Sequence, residues 1–226
     1  MLSPEEQLQV REVITRVERR VTSELRLRTT PQQAVDFIEV LHSNLDNVVR
    51  LANSPDMALE CKAGCSHCCN VRVEISEPEA LRIARHIAAL APEQIAGLVP
   101  CLQRNSALRA TSQERSPCAF LRNDLCSIYE LRPASCRKAH SLSVAACEVG
   151  ASEIPQNLLL GLQCETLIAG TNAAYRVNGL PASPSELSAA VLAALSAPDA
   201  ADSWFEGKPV LNAPLVVQAI GRSDAV

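Results

Sequence analysis

Apolar residues recur every three or four positions along much of the chain, which is the period of an amphipathic helix. Two early segments, residues 4–27 and 31–52, keep this spacing throughout. Their apolar positions are Val10, Ile14, Val17, Val21, Leu25, Leu41, Leu45, Val48 and Ala52. Two amphipathic helices joined by a short connection, here near residues 28–30, typically pack side by side. We therefore predict an N-terminal antiparallel helical hairpin.

The rest of the chain continues this helical pattern with short interruptions. Further helices are predicted over residues 76–90, 92–111, 154–175 and 184–196. The second of these is expected to be interrupted or kinked near Pro100, because proline removes a backbone donor. Residues 70–75 alternate between apolar and polar side chains, as a short extended segment does. Asn123 and Asp124 predict a turn that folds the surrounding segment back on itself.

Four motifs mark the starts of helices. In each, a Ser or Thr is followed three positions later by Glu or Gln, with Pro in between, so that the two side chains can cap free backbone amides. The capping residues are Ser3, Thr30, Ser76 and Ser183. The fold class predicted from these patterns is all-α.

We expect three regions in this all-α chain. Residues 1–55 form the N-terminal hairpin, residues 56–175 a helical domain with a cysteine-rich metal-binding centre, and residues 176–226 a C-terminal helix and tail. The tail contains Trp204, Phe205, Pro209 and Pro214 and is expected to wrap around the body.

Composition excludes several classes of protein. The chain has 226 residues, 47% hydrophobic and 20% charged, as ordered globular proteins do. Its net charge is −4 and its Lys and Arg residues are dispersed, which argues against a nucleic-acid partner. It has no apolar run of roughly 18 residues and no apolar signal core at the N-terminus, so we expect a cytoplasmic protein without a membrane span.

Ten cysteines are the most distinctive feature of the composition. Five disulfides are one interpretation, but a reducing cytoplasm and a chain long enough to build an apolar core argue against it. Cys101, which is isolated in sequence, is expected to be a buried free thiol.

The remaining cysteines fall into two groups. Cys61, Cys65, Cys68 and Cys69 lie within nine residues, and either a helix or a tight loop would bring their sulfurs together. Cys118, Cys126 and Cys136 follow, with Cys147 or Cys164 as a fourth member. We prefer Cys147, because it follows Cys136 on the same segment.

Clustered thiolates suit zinc, copper(I) and iron–sulfur centres. The count allows two tetrathiolate sites or one shared polynuclear site. Adjacent residues diverge by about 100° on a helix, so Cys68 and Cys69 would be strained on a single ion and favour a shared centre. His67 is an alternative ligand, although an exposed histidine, or one that only supports a ligand, is more common at such a position.

These elements resemble the YkgJ-type cysteine-cluster proteins, which are described as zinc- or iron-chelating domains. The matching elements are Cys61-x3-Cys65-x2-Cys68-Cys69, Cys118-Ala-Phe-Leu, Cys126-Ser-Ile-Tyr129 and Arg132-Pro133-x2-Cys136-Arg137. The resemblance implies that Cys61, Cys65, Cys68, Cys69, Cys118, Cys126 and Cys136 are metal ligands, with Cys147 or Cys164 as the eighth. It also includes Arg132 and Arg137, which we expect to offset the charge of the thiolates and to donate hydrogen bonds to sulfur.

Three functions remain open at this point. The first is a metal-binding protein that holds Zn²⁺ or iron, including an iron–sulfur cluster. The second is a redox or protein-methylating enzyme related to flagellin lysine methylase, although the sequence contains no readable nucleotide-binding loop or catalytic triad. The third is an interaction module stapled by its metal. The expected partners are a metal ion and an unidentified protein.

Overall fold

The computed structural model describes residues 3–54, 58–62, 64–112 and 114–211, and this part of the chain is mostly helical. The α-helices are α1 (Pro4–Leu25), α2 (Pro31–Asp36), α3 (Ile38–Ala52), α4 (Glu77–Ala88), α5 (Pro92–Thr111), α6 (Ala134–Arg137), α7 (Val144–Glu148), α8 (Leu158–Val177), α9 (Leu187–Ser196) and α10 (Ala200–Phe205). Four two-residue strands accompany them: β1 (Glu74–Ile75), β2 (Leu121–Arg122), β3 (Leu125–Cys126) and β4 (Ser185–Glu186). The all-α prediction is confirmed.

Three of the predicted helix starts are present. Ser3 and Ser76 each form a reciprocal capping box with the Glu three positions later, and the Thr30 hydroxyl accepts from the Gln33 amide. The fourth prediction, at Ser183, is wrong. Ser185–Glu186 instead pairs with β1 as strand β4, so α9 begins only at Leu187, with the Glu186 carboxylate as its cap.

Other helices differ from the prediction at their ends. The segment 31–52 divides at Phe37 into α2 and α3, and α8 begins at Leu158, where the Asn157 side chain caps it. Helix α5 runs through Pro100 as one helix, so the predicted interruption is absent, and the alternative of a kink at Pro100 stays a prediction. Trp204 of α10 is fully buried, whereas Pro214 lies outside the described residues.

Two clusters of buried apolar side chains form the core. The first joins α1, α2, α3, α8 and α10, and the second joins α5, α9 and the hairpin of β2 and β3. Helix α4 contributes Leu81 and Ala84 to the first cluster and Ile83 and Ile87 to the second. Residues from all three predicted regions meet in the first cluster, and the proposed boundaries between them stay a prediction.

Helix α8 packs against both α1 and α3, whereas α1 and α3 make little contact with each other. The side-by-side packing predicted for the N-terminal hairpin is therefore not observed, because α8 provides the surface that both helices bury. Gly170 allows the close approach of α1, since a Cβ atom there would lie 2.7 Å from Cβ of Val17. In the described part of the chain, no helix combines the length and the apolar character that crossing a membrane requires.

Candidate metal centre

The first cysteine stretch is a loop that ends in one 3-10 turn, His67–Asn70. Gly64 has a φ of +85°, a left-handed conformation that glycine adopts without the cost of a Cβ atom. This conformation prevents a continuous helix from Cys61 to Cys69. The helical interpretation of the stretch is therefore wrong, and the loop alternative is the one observed.

The second cysteine segment folds back as a β-hairpin, as its turn residues predict. Asn123 and Asp124 both have positive φ, 50° and 59°, the combination found in the tight turns that match the twist of paired strands. Leu121 pairs with Cys126 across the hairpin. The Ser66 hydroxyl donates to Asp124 Oδ1 at 3.1 Å, so the hairpin turn is tied to the first cysteine loop.

The two segments are joined directly by backbone hydrogen bonds. The Cys118 amide donates to the Cys69 carbonyl at 2.8 Å, and the Ser116 amide donates to the Asn70 carbonyl at 2.9 Å. This joint places the adjacent pair Cys68 and Cys69 beside Cys118, although the segments are far apart in sequence.

Cys136 lies on the short helix α6, which buried polar contacts fix in place. The Ala134 amide donates to Glu79 Oε1 at 2.7 Å, and the same oxygen lies 3.0 Å from Nε2 of His42. The other carboxylate oxygen accepts from the amide and the hydroxyl of Ser76. Helices α3 and α4 therefore both position the helix that carries Cys136.

Cys147 lies on α7, which packs against the 3-10 turn of the first loop. It is close enough to Cys61 that its negative charge contributes, after burial, to the raised pKa of the Cys61 thiol. Cys164 is instead fully buried in the first apolar cluster. Burial raises the pKa of its thiol, Lys138 opposes this shift and Glu165 adds to it. The structure thus brings Cys147, and not Cys164, to the other cysteines of the predicted ligand set.

The thiols of the predicted set influence one another across all these segments. Burial is the largest cause of the raised pKa values of Cys61, Cys118, Cys126 and Cys136, and in each case neighbouring thiols raise the pKa further. Cys68 acts on Cys61, Cys69, Cys126 and Cys136. Cys118 and Cys126 act on Cys69 in turn, so Cys68 and Cys69 together connect the first loop with the other segments.

Cys68 and Cys69 form a hydrogen-bonded pair. The Cys69 thiol donates to the Cys68 sulfur, which lowers the pKa of Cys68 to about 6, with assistance from Arg132 and Arg115. The same hydrogen bond, followed by burial and the neighbouring thiols, raises the pKa of Cys69 far above its usual range. Within this pair, one thiolate is stabilised by the neighbouring thiol.

The donor set has the chemistry of a soft-metal site. All ten cysteines are free thiols, and backbone amides of Phe120 and Ile128 donate to the sulfurs of Cys118 and Cys126, two residues earlier in each case. Such hydrogen bonds favour the thiolate form that binds metal. Among the residues that the structure describes, no group of three or more His, Cys, Asp or Glu side chains is arranged as a metal site.

Of the two predicted arginines, Arg132 lies near the thiols. Its charge lowers the pKa of both Cys68 and Cys126, and its guanidinium carbon lies 4.2 Å from the centre of the Tyr129 ring. It also contacts Asp46 of α3 at 3.3 Å. Tyr129 therefore packs against a cation at the rim of the cysteine cluster.

Arg137 holds its own segment together. Its guanidinium donates to the carbonyls of Arg132 and Glu130, at 2.8 and 2.6 Å, and binds the Asp46 carboxylate. Its observed contacts fix the backbone around Cys136. Donation to sulfur, as expected from the sequence, stays a prediction.

His67 faces Glu148, with Nε2 3.8 Å from Oε1, and its carbonyl accepts from Arg115 at 2.9 Å. Arg115 was not singled out from the sequence, and neither was Arg109, which contacts the joint between the two cysteine segments. The sequence nevertheless contains a pattern that could have identified Arg109. The buried residues of α5 are Leu98, Leu102, Asn105 and Arg109, so a charged residue occupies a core position of the helical period.

The comparisons with known proteins agree with the cysteine pattern. Residues 60–158 match the model of the CxxCxxCC family, described as a "Putative zinc- or iron-chelating domain". The matched segment includes Cys147 and ends before Cys164. No curated protein and no solved structure gives a significant match to the chain. Over residues 60–158, the predicted resemblance to cysteine-cluster, zinc- or iron-chelating domains is therefore confirmed.

Proposed function

We propose that this chain is a cytoplasmic metal-binding protein that holds zinc or iron through clustered cysteines. The proposed ligands are Cys61, Cys65, Cys68, Cys69, Cys118, Cys126, Cys136 and Cys147. The observation that supports the proposal best is the mutual perturbation of thiols from separate segments, with Cys68 acting on four others. Cysteines that serve only as core residues would not be expected to lie near one another when they come from a loop, a hairpin and two short helices.

A shared polynuclear centre, such as an iron–sulfur cluster or two bridged zinc ions, fits this arrangement better than one isolated ion. Cys68 and Cys69 are adjacent, and Cys68 is near thiols on both sides of the joint. If two metal ions had entirely separate sets of ligands, no cysteine would need to lie near the ligands of both. In the proposed centre, the metal supplies the positive charge that keeps every ligand sulfur ionised.

Binding would also order the loops that carry the ligands. The cysteines lie on a loop, a hairpin and two very short helices, elements with little core of their own. Metal binding and the folding of this segment should therefore be coupled, as in other small metal domains. The net charge of −4 supports a role without nucleic acid, and a protein partner is part of the proposal.

The decisive experiment is anaerobic purification followed by metal analysis and a visible absorption spectrum. Stoichiometric zinc without visible absorption identifies the zinc form, whereas visible absorption with acid-labile sulfide identifies the iron–sulfur form. Cys68→Ser should lower the metal content, and Cys101→Ser should not, because Cys101 lies in α5 outside the cluster. Wild-type protein that binds neither metal would refute the proposal.

A further inference from the structure

Arg109 of α5 is a buried cation without a carboxylate partner in the described part of the chain. Its side chain is only 2% exposed, and the described residues include no acidic group within ion-pair distance of it. Its guanidinium instead donates to three backbone carbonyls, those of Glu114, Asn70 and Ser116. Burying a guanidinium among neutral groups is unfavourable, so a specific reason for its position is expected.

The three carbonyls belong to the joint between the cysteine segments. Asn70 directly follows Cys69, and Ser116 lies two residues before Cys118. The Ser116 amide binds the same Asn70 carbonyl that Arg109 binds. One guanidinium therefore binds both backbones next to the hydrogen bond between the Cys118 amide and the Cys69 carbonyl.

Arg109 also places its positive charge beside the proposed ligands. Its guanidinium donates to the carbonyl of Asn70, which directly follows Cys69, and to the carbonyl of Ser116, two residues before Cys118. A tetrathiolate centre carries excess negative charge, which is what an unpaired buried cation can balance.

We propose that Arg109 is a positioning residue of the metal centre, holding the Cys69 and Cys118 segments together and balancing the charge of the bound thiolates. This inference rests on the proposed metal-binding function. A planar fork of donors is needed to bridge several carbonyls at once, and lysine lacks such a fork. The two parts of the role, bridging and charge, can therefore be separated by substitution.

The test compares Arg109→Met, Arg109→Lys and Arg104→Met, the last an exposed arginine of the same helix. Each reduced, metal-free protein is titrated with Zn²⁺ against a chromophoric chelator, and thermal unfolding of the metal-free form is recorded in parallel. Arg109→Met should bind zinc about 10- to 100-fold more weakly, as expected when a group that supports a ligand is lost. Arg109→Lys should recover part of this loss, and Arg104→Met should match the wild type.

Exchange of the Cys118 amide with deuterium, measured on the metal-free proteins, provides a readout that does not depend on metal. It should be faster in both Arg109 variants, because the joint loses its bridge. If both variants bind zinc as tightly as Arg104→Met does, the inference is overturned while the proposed function stands. If Arg109→Met does not fold, the zinc affinity of Arg109→Lys is compared with that of Arg104→Met by the same criterion. Failure of the wild type to bind zinc or iron overturns both.

Discussion

Cys147 and Cys164 have the same side chain but lie in different surroundings. One is a candidate metal ligand, and the other is a core residue. Cys164 is fully buried beside Leu160 and Tyr175 in the first apolar cluster. Cys147 is partly exposed on α7, next to the loop that carries Cys61. Replacing either sulfur with an oxygen should therefore change a different property.

We predict that Cys164→Ser lowers the free energy of unfolding of the metal-free protein by about 1–3 kcal/mol, because burying a hydroxyl in an apolar site costs more than burying a thiol. Its metal content should not change. Cys147→Ser should lower the metal content and leave the metal-free protein within about 0.5 kcal/mol of the wild type, as most exposed substitutions do. Urea unfolding and metal analysis of both variants measure this. The reverse pattern would assign Cys164 to the ligand set instead of Cys147.

Some residues of the candidate site could be predicted from the sequence, and others could not. The cysteine spacing and the turn at Asn123 and Asp124 are local patterns, so they were accessible from sequence. Arg109 was accessible in principle, since it occupies a core position of α5. Asp46 was not, because its role depends on α3 reaching Arg132 and Arg137, which lie about ninety residues away.

At the scale of elements, the close packing of α8 against α1 depends on one glycine, Gly170. At Gly170 a Cβ atom would lie 2.7 Å from Cβ of Val17 and 2.9 Å from the carbonyl oxygen of Ile14. At Gly161, in the same helix, it would meet nothing within 4 Å. Contact between α1 and α8 therefore depends on the first glycine and is independent of the second.

The same substitution at these two glycines should have opposite effects on stability. Gly170→Ala should destabilise the protein by about 1–3 kcal/mol, because α1 must move away from α8. Gly161→Ala should stabilise it by about 0.5–1 kcal/mol, because alanine loses less backbone freedom in a helix. Thermal or urea unfolding of the metal-free proteins gives both values. Equal effects of the two substitutions would contradict the close packing of α1 on α8.

Other elements show why helix positions were predicted better than helix partners. Periodicity and caps are properties of a short window, and they located α1, α4 and α5. The start of α9 depends on the pairing of β4 with β1, about 110 residues earlier in the chain. The packing of α8 on α1 likewise joins Gly170 to Val17, which is far away in sequence. The amphipathic pattern of one helix does not show which other helix its apolar face contacts.

At the scale of the whole molecule, Glu79 links three parts of the fold. Its buried carboxylate bonds to α6 at Ala134, lies beside His42 of α3 and caps its own helix at Ser76. Burial alone would raise the pKa of Glu79, but the contacts with His42, Ala134 and Ser76 outweigh it, and the net shift is downward. The ionised carboxylate therefore stabilises the fold around Cys136.

The pH dependence of stability follows from this downward shift. The pKa of Glu79 is lower in the folded protein than in the unfolded chain, where it is about 4.3. Its contribution to stability is fully present well above that value, and it is lost as the pH falls through the folded pKa. Glu79→Gln should be less stable than the wild type by about 1–3 kcal/mol at pH 7, because the amide cannot accept all four hydrogen bonds. That difference should shrink progressively below about pH 4.3.

Glu12→Gln, on the exposed face of α1, provides the matched control and should stay within about 0.5 kcal/mol of the wild type at neutral pH. Urea unfolding of the three metal-free proteins between neutral and acidic pH measures the differences. Because Glu79 also fixes the helix of Cys136, Glu79→Gln should weaken zinc binding at neutral pH, whereas Glu12→Gln should not. A stability difference between Glu79→Gln and the wild type that stays constant on acidification would show that the carboxylate is not ionised in the folded protein.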